Sequence, residues 1–555
     1  SHSMKTIITS ALLALPLVAM AQSKVIENPL YGSKSVFTEN ISIERIEVKK
    51  DTTKISMASY MPIAEYWAQI SGDTYIVANG QKLPILKAEG ITLNEPYYAP
   101  SKDEHIRRFT LYFPEIGKDV ESIDFIESDC PQCFKFWGVA VTEKQSARLK
   151  AEKEASVKAM DQAMAVKDDG KSLSEPKMMV GKSTLKGKFL NYNKDIFGGL
   201  TLKILCYSNN PFTGAQELYH AMLSEEGTFE IEMPLVLENQ TIGLQATPIN
   251  TIFVARCNGT EEIIIDLNAM TSATGFWYFK GDNEDLNNSI AKIEKQRTAF
   301  KHDDVMKFRG TSTADFKAHI YALGKEMTEE VAAMDVPVKA KEYFSILSRG
   351  RMATCLNMAT YYMEIAYRQA NNLGYDAPLE GYQAPETDAE YNKFYQELKL
   401  NDMDMLYSND YFSIPRSVMM GLCPQITIVE IIEGMRALGK LDENGEKVLS
   451  IIKATIAEGR TATEEENKLV SPFIEKYLVN NPETDEYVYA YRKSVAEKAI
   501  GATEGLVFDL NKVQEFNEHG NLVKESNYNS GSSYISSNDD DKKNKETISY
   551  NIFIR

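Results

Sequence analysis

Apolar and polar positions change their period along this chain, and the changes mark out its regions. Between residues 22 and 142 the period is two. Ile41-Ser42-Ile43-Glu44-Arg45-Ile46-Glu47-Val48 alternates, with a slip at Arg45, and Thr74–Val77 and Phe109–Phe113 are short strand-like runs. Asn79-Gly80 and Ile116-Gly117 supply turn chemistry between them. Short strands with polar turns predict an antiparallel β-sandwich over 22–142. From Thr142 to Lys167 there is neither Gly nor Pro, and Ala, Lys and Glu dominate. That composition predicts a helix with little apolar face, followed by a flexible stretch at Asp168–Ser172. Residues 143–179 are therefore read as a charged connector. A partner-binding helix is the lesser alternative.

Period two returns over 180–282. Leu185–Phe189 and Thr228–Met233 alternate, and Ile263–Ile265 is a buried-strand run, so a second β-sandwich is expected. Over 283–505 the period becomes helical. Cys355, Met358, Tyr362 and Ile365 share one helical face. Thr463 and Glu466 have capping-box spacing before Leu469 and Val470, and Pro482 opens a helix carrying Tyr487, Tyr489 and Tyr491. Within 506–555, Gln514–Glu525 reads as a hairpin around Gly520-Asn521. Ser532–Glu546 is polar and low in complexity, and is expected to be disordered. The fold class is thus multidomain β plus α: two antiparallel sandwiches joined by a helical connector, then an all-α region and a short hairpin tail.

The N-terminus has its own pattern. After Ser1-His2-Ser3, which reads as foreign to the fold, Lys5 precedes the apolar run Ile7–Val18 and then Ala19-Met20-Ala21. A charged start, a short apolar core and an A-x-A site make residues 4–21 a secretory signal, with a mature start near Gln22. The run is too short to cross a bilayer. A periplasmic or secreted protein is expected.

Composition narrows the partners. The chain has 555 residues, 43% hydrophobic and 25% charged, with a net charge of −18. An acidic surface of that size disfavours phosphate backbones, so nucleic acid is not an expected partner. No later run is long and apolar enough for a membrane span. The expected partner is another envelope protein, and no cofactor is expected.

Candidate chemistry is sparse. The six cysteines are Cys130, Cys133, Cys206, Cys257, Cys355 and Cys423. Cys130-Pro131-Gln132-Cys133 has dithiol spacing, yet strand-like runs flank it on both sides, which places it in a turn. A reactive pair needs the first thiol at a helix N-terminus or beside a cation. Glu127 and Asp129 are acidic neighbours that disfavour a thiolate. A structural turn disulfide or two plain thiols are the main readings, and a redox pair is the alternative. No second C-x-x-C or nearby His completes a zinc site, so no metal is expected. Cys206 and Cys257 are either bridged or two buried thiols. Val180–Thr184 ends like a phosphate loop, but Pro176 stands where that pattern needs Gly. No two of His2, His105, His220, His302, His319 and His519 stand four apart, and there is no G-x-S-x-G elbow. No catalytic residue is assigned.

Three stretches carry a family likeness: Ser122–Cys130 with Cys133–Gly138, Leu185–Phe189, and Gly505–Gln514. In this order they resemble the non-catalytic portion of the envelope thioredoxin-like disulfide reductases (TlpA type) of Gram-negative gut anaerobes. In that family a catalytic thioredoxin domain with Trp-Cys-x-x-Cys follows the helical region. Here no Cys lies after Val513, so no position matches those residues, and Cys130/Cys133 are not their equivalent. The resemblance implies an accessory binding or scaffolding body. The alternative is a thiol–disulfide oxidoreductase, acting through Cys130/Cys133 or through a C-terminal domain missing from this chain.

Overall fold

The computed structural model describes residues 23–199, 202–210, 216–270, 272–414, 427–478, 481–484 and 487, with strand backbone at 512–517, 522–527 and 547–551. The signal segment, Cys423, Tyr489, Tyr491, the Gly520-Asn521 turn and the polar stretch 532–546 lie outside the described residues. The chain forms two compact units. One runs through Ser156 and includes the loop that starts at Asn191; the other comprises Val157–Leu190 and the chain from Leu202 on.

The first unit is a β-sandwich. One sheet has the order β1-β3-β4-β8-β7, built from β1 (Lys24–Glu27), β3 (Ile41–Lys49), β4 (Thr52–Tyr60), β7 (Lys87–Glu89) and β8 (Ile106–Phe113). The other has the order β2-β10-β9-β5-β6, from β2 (Ser33–Lys34), β5 (Tyr75–Ala78), β6 (Gln81–Pro84), β9 (Ser122–Ile126) and β10 (Lys135–Ala140). The pairs are antiparallel. The slip in alternation at Arg45 is a bulge in the β3–β4 register, between Ile43 and Arg45. It lets both halves of β3 face one core. Asn79 and Gly80 both have positive φ and close the β5–β6 hairpin, the turn that Asn-Gly favours. Ile55, Met57, Leu111 and Phe113 from one sheet meet Ile76, Phe125, Phe136 and Val139 from the other.

Helix α1 (Glu143–Met164) starts on Thr142, whose hydroxyl accepts from Gln145 N–H at 3.1 Å. Its apolar face is narrow, but Leu149, Met160 and Met164 are buried. The stretch expected to be flexible, 168–172, is instead strapped down. Asp169 pairs with Lys339 at 3.3 Å, and Glu342 accepts from Ser172 Oγ and from Leu173 N–H at 3.1 and 2.7 Å. Those partners lie in a helix about 170 residues away, so the local sequence gave no sign of them.

The second sandwich has two four-stranded sheets. The first is β14-β11-β17-β18, from β11 (Met178–Leu190), β14 (Thr228–Leu237), β17 (Thr260–Asp266) and β18 (Trp277–Gly281). The second is β13-β12-β15-β16, from β12 (Lys203–Asn209), β13 (Gln216–Met222), β15 (Asn239–Ala246) and β16 (Ile249–Arg256). Phe253 stacks on Phe279 across the two sheets at 5.4 Å. The β11–β17 pair is parallel, where an antiparallel sandwich was expected. Val180–Thr184 lies within β11, with none of the loop-to-helix context that a phosphate loop requires.

The helical region does not begin a new core at residue 283. Helices α2 (Glu284–Gln296), α3 (His302–Met306), α4 (Thr313–Ala332), α5 (Val338–Asn357), α6 (Ala359–Ala370), α7 (Ala389–Asn392) and α8 (Phe394–Glu397) follow. Their buried side chains, Ile290, Phe316, Tyr343 and Leu356 among them, form one cluster with Val236, Leu237 and Val254 of the sandwich. The Cys355–Ile365 face is interrupted, because α5 ends at Asn357 and Met358, the cap between α5 and α6, is exposed. Cys355 is core, as its apolar setting implied. Helices α9 (Ile428–Ala437), α10 (Glu443–Glu458) and α11 (Glu464–Tyr477) form a separate small core around Ile432, Val448, Leu449, Val470 and Phe473. The Thr463/Glu466 capping box opens α11 as expected. At the far end β19 (Lys512–Asn517) pairs with β20 (Leu522–Asn527), and β21 (Thr547–Asn551) adds a third strand that the pattern had not indicated.

Candidate functional site

Two surface features of the first unit carry the most chemistry. The first is the connection from β9 to β10. Glu127 N–H donates to Phe134 C=O at 2.9 Å, which closes the strand ends, and Cys133 N–H donates to Cys130 C=O at 3.3 Å within the turn. Pro131 occupies the second turn position, where its fixed φ is favourable. Cys130 and Cys133 are joined as a disulfide with Cα atoms 5.3 Å apart. Cys130 is exposed and Cys133 is half-buried. The next helix, α1, begins only at Glu143, so neither cysteine stands at a helix N-terminus.

Glu127 is the residue whose role the sequence did not disclose. It read as one of two acidic neighbours that disfavour a thiolate, and it is only 6% exposed. Its Oε1 accepts from Ser71 N–H at 2.7 Å, and its backbone carbonyl accepts from Thr74 Oγ1 at 3.0 Å. Burial raises its carboxyl above the ordinary range, opposed by backbone N–H donors and by Lys135. A carboxylate oxygen of Glu127 and the sulfurs of Cys130 and Cys133 all lie within 4.8 Å of one another. The one signal available in advance was the strand pattern, which points Glu127 to the side that carries Phe125. Asp129 is engaged elsewhere, accepting from Tyr75 OH at 2.5 Å. Burial and that bond push the Tyr75 phenol up to about 12.

The second feature is aromatic. Residues 62–67 form an exposed segment after β4, carrying Ile63, Tyr66 and Trp67, with Ile63 and Trp67 exposed by 58% and 56%. Ala68 bridges antiparallel to Tyr97, which sets Trp67 opposite the exposed Tyr98. Tyr60 pairs in register with Ile106, and its ring lies 6.3 Å from that of His105. Arg107 Nε donates to Tyr98 C=O at 3.0 Å. The result is a rim of Tyr60, Ile63, Tyr66, Trp67, Tyr98 and Ile106, all exposed. Spread over three segments, it had no periodic signature.

The remaining candidates are structural. Cys206 and Cys257 are separate buried thiols, not a bridge. Burial pushes Cys206 and Cys355 up to about 12 and raises Cys257. His105 Nδ1 and His319 Nε2 sit at 3.1 and 2.9 Å from backbone carbonyls. In the second unit a cavity of about 490 Å³ lies between the 169–174 strap and residues 281–286, with Lys339 and Tyr407 in its wall. Two groups in its wall hold the strap: Lys339 pairs with Asp169, and Tyr407 OH donates to Ser174 C=O at 2.7 Å. No helix among the described residues is long and apolar enough to cross a membrane. No family model, curated protein or solved structure matches this chain.

Proposed function

We propose that this chain is a non-enzymatic binding protein of the cell envelope, and that its N-terminal sandwich docks a protein partner through the aromatic rim. The exposed cluster of Trp67, Tyr98, Tyr60 and Ile63 carries the reading. Side chains of this size are normally buried, and contiguous exposed patches mark interaction sites. Trp, Tyr and a neighbouring Arg are the residue types that dominate binding energy at protein interfaces. The signal-like segment 4–21 supports export, and N-terminal sequencing of the exported protein should begin within a residue or two of Gln22. A photoreactive phenylalanine at position 98 should give one discrete cross-linked product in envelope fractions, lost on Trp67→Ala. The same group at Tyr375, 72% exposed in the helical region, should give none. Equal labelling at both positions, or labelling indifferent to Trp67, would reject the reading.

A second reading is favoured by the exposed disulfide. In thiol–disulfide exchange an incoming thiolate would attack one sulfur, the S–S bond would break, and the other cysteine would leave as a thiolate. A second substrate thiol would then release the mixed disulfide. This reading keeps the oxidoreductase half of the TlpA-type resemblance. Among the described residues no helix starts at Cys130 and no cation bonds it, which weighs against fast turnover. Insulin reduction no faster than that of Cys130→Ser/Cys133→Ser is expected, and a clear cysteine-dependent rate would promote this reading over the first.

A further inference from the structure

We propose that the reduced Cys130–Cys133 turn is a zinc-type metal site completed by Glu127, and that disulfide and metal exclude one another there. The site goes beyond the docking function and does not depend on it. Three observations carry it. The donor atoms are already gathered, since both sulfurs and a Glu127 oxygen lie within 4.8 Å of one another. A tetrahedral zinc ion bonds thiolates at about 2.3 Å and carboxylates at about 2.0–2.2 Å, so its ligand atoms stand roughly 3.5–4 Å apart. Opening the S–S bond lets the sulfurs part to that spacing without moving the strand ends, because the Glu127–Phe134 and Cys133–Cys130 backbone bonds fix the turn independently.

Second, Glu127 is a buried carboxylate with no ion pair among the described residues, and the Ser71 N–H fixes one oxygen at 2.7 Å. Burying a carboxylate is costly; Lys135 offsets part of that cost without bonding it, and a divalent cation would supply a directly bonded counter-charge. A ligand oriented by an outer hydrogen bond is the usual arrangement around protein-bound metals. Third, Cys130, Pro131 and Gln132 are exposed, which leaves the fourth coordination position open to water. Two thiolates with one carboxylate favour zinc over the hard cations magnesium and calcium.

The electron and proton balance is simple. A phosphine reductant with one water yields phosphine oxide and two thiols from the disulfide. In the cell a dithiol would serve, becoming a disulfide itself. The metal then displaces both thiol protons to solvent.

The test uses the full chain, reduced with a phosphine, freed of it under inert gas and titrated with Co²⁺. One equivalent should bind, with thiolate-to-cobalt charge-transfer absorption, and Zn²⁺ should bleach it. The oxidised protein and Cys130→Ser/Cys133→Ser should show no such band. Glu127→Gln should weaken binding by at least about tenfold, the scale seen even for outer-shell changes. Zn²⁺ should raise the unfolding temperature of reduced wild-type protein and leave that of oxidised protein unchanged, a readout needing no variant. If reduced and oxidised protein bind alike, or Glu127→Gln binds as tightly as wild type, the proposal fails.

Discussion

The two β-sandwiches solve the problem of open sheet edges differently, and their surfaces differ accordingly. In the second, α2 closes two edges with side-chain amides. Asn287 Oδ1 accepts from Val254 N–H at 2.7 Å, and its Nδ2 donates to Val254 C=O at 3.0 Å. Asn288 does the same to Phe279, at 2.6 and 3.0 Å. Each amide mimics the backbone of a missing strand, one on β16 and one on β18, the edge strands of their sheets. Both asparagines are buried, and α2 carries Ile290 and Ile293 into the shared core. In the first sandwich the corresponding apolar material stands at the surface, in the aromatic rim, and the disulfide turn is exposed. The second sandwich has two of its edge strands bonded to its own helix, whereas the first keeps large aromatics outside, the surface on which the proposed docking rests.

The largest test of that contrast is Asn287→Ala. It strands the buried Val254 N–H, while Val254 C=O keeps a bond from Asn283 Nδ2 at 3.3 Å, so a loss of about 1–3 kcal/mol is expected. Denaturant unfolding would measure it, with faster hydrogen exchange at Val254. A loss under about 1 kcal/mol would mean that the amide clamp is incidental.

Next is Glu261, fully buried on β17 and accepting from Asn283 N–H at 3.1 Å at the start of α2. Burial raises its carboxyl to about 8. The unfolded chain releases this proton near 4.3. Between those values the folded state holds a proton that the unfolded state lacks, so stability falls as pH rises, by at most about 1.4 kcal/mol per pH unit. It is fully present below the lower value and flat above the upper. Glu261→Gln keeps an acceptor for Asn283 and should flatten the dependence. Parallel pH profiles of unfolding temperature for the two proteins would refute the assignment.

The disulfide should matter less to stability. Its loop is so short that chain entropy supplies only about 1–2 kcal/mol. Cys130→Ser/Cys133→Ser should unfold only slightly earlier, and a much larger loss would make the turn a structural staple. After reduction, an alkylating reagent should modify Cys130 and Cys133 well before Cys206, Cys257 and Cys355, which are buried with raised thiols. Smallest of all is Trp67→Ala. An exposed side chain away from any core should shift stability by less than about 0.5 kcal/mol. A larger shift would return Trp67 to the core and remove the contrast between the sandwiches.

Where local pattern and local chemistry agree, the chain could be read directly. Period two found β3, β5, β8, β11 and β14, and even the bulge beside Arg45. Gly- and Pro-free composition found α1, and Thr463 with Glu466 found the start of α11. The C-x-x-C turn was legible because strand-like runs bound it on both sides. These features depend on residues within one or two turns of each other, so their energetics are written in short windows.

Tertiary structure decided the rest. The parallel β11–β17 pairing, the strap at 168–172, the shared core across residue 283 and the separate core of α9–α11 depend on partners tens to hundreds of residues apart. Asn287 and Asn288 look like poor helix residues until the edges they bond are in place. The burial of Glu127 could not be read in advance because it depends on Ser71 and Thr74, which only the folding of one sheet brings beside it. Sequence by itself determined element type and the positions of the thiols. Burial, which sets what a carboxylate or a thiol can do, exists only once distant segments have displaced the water between them.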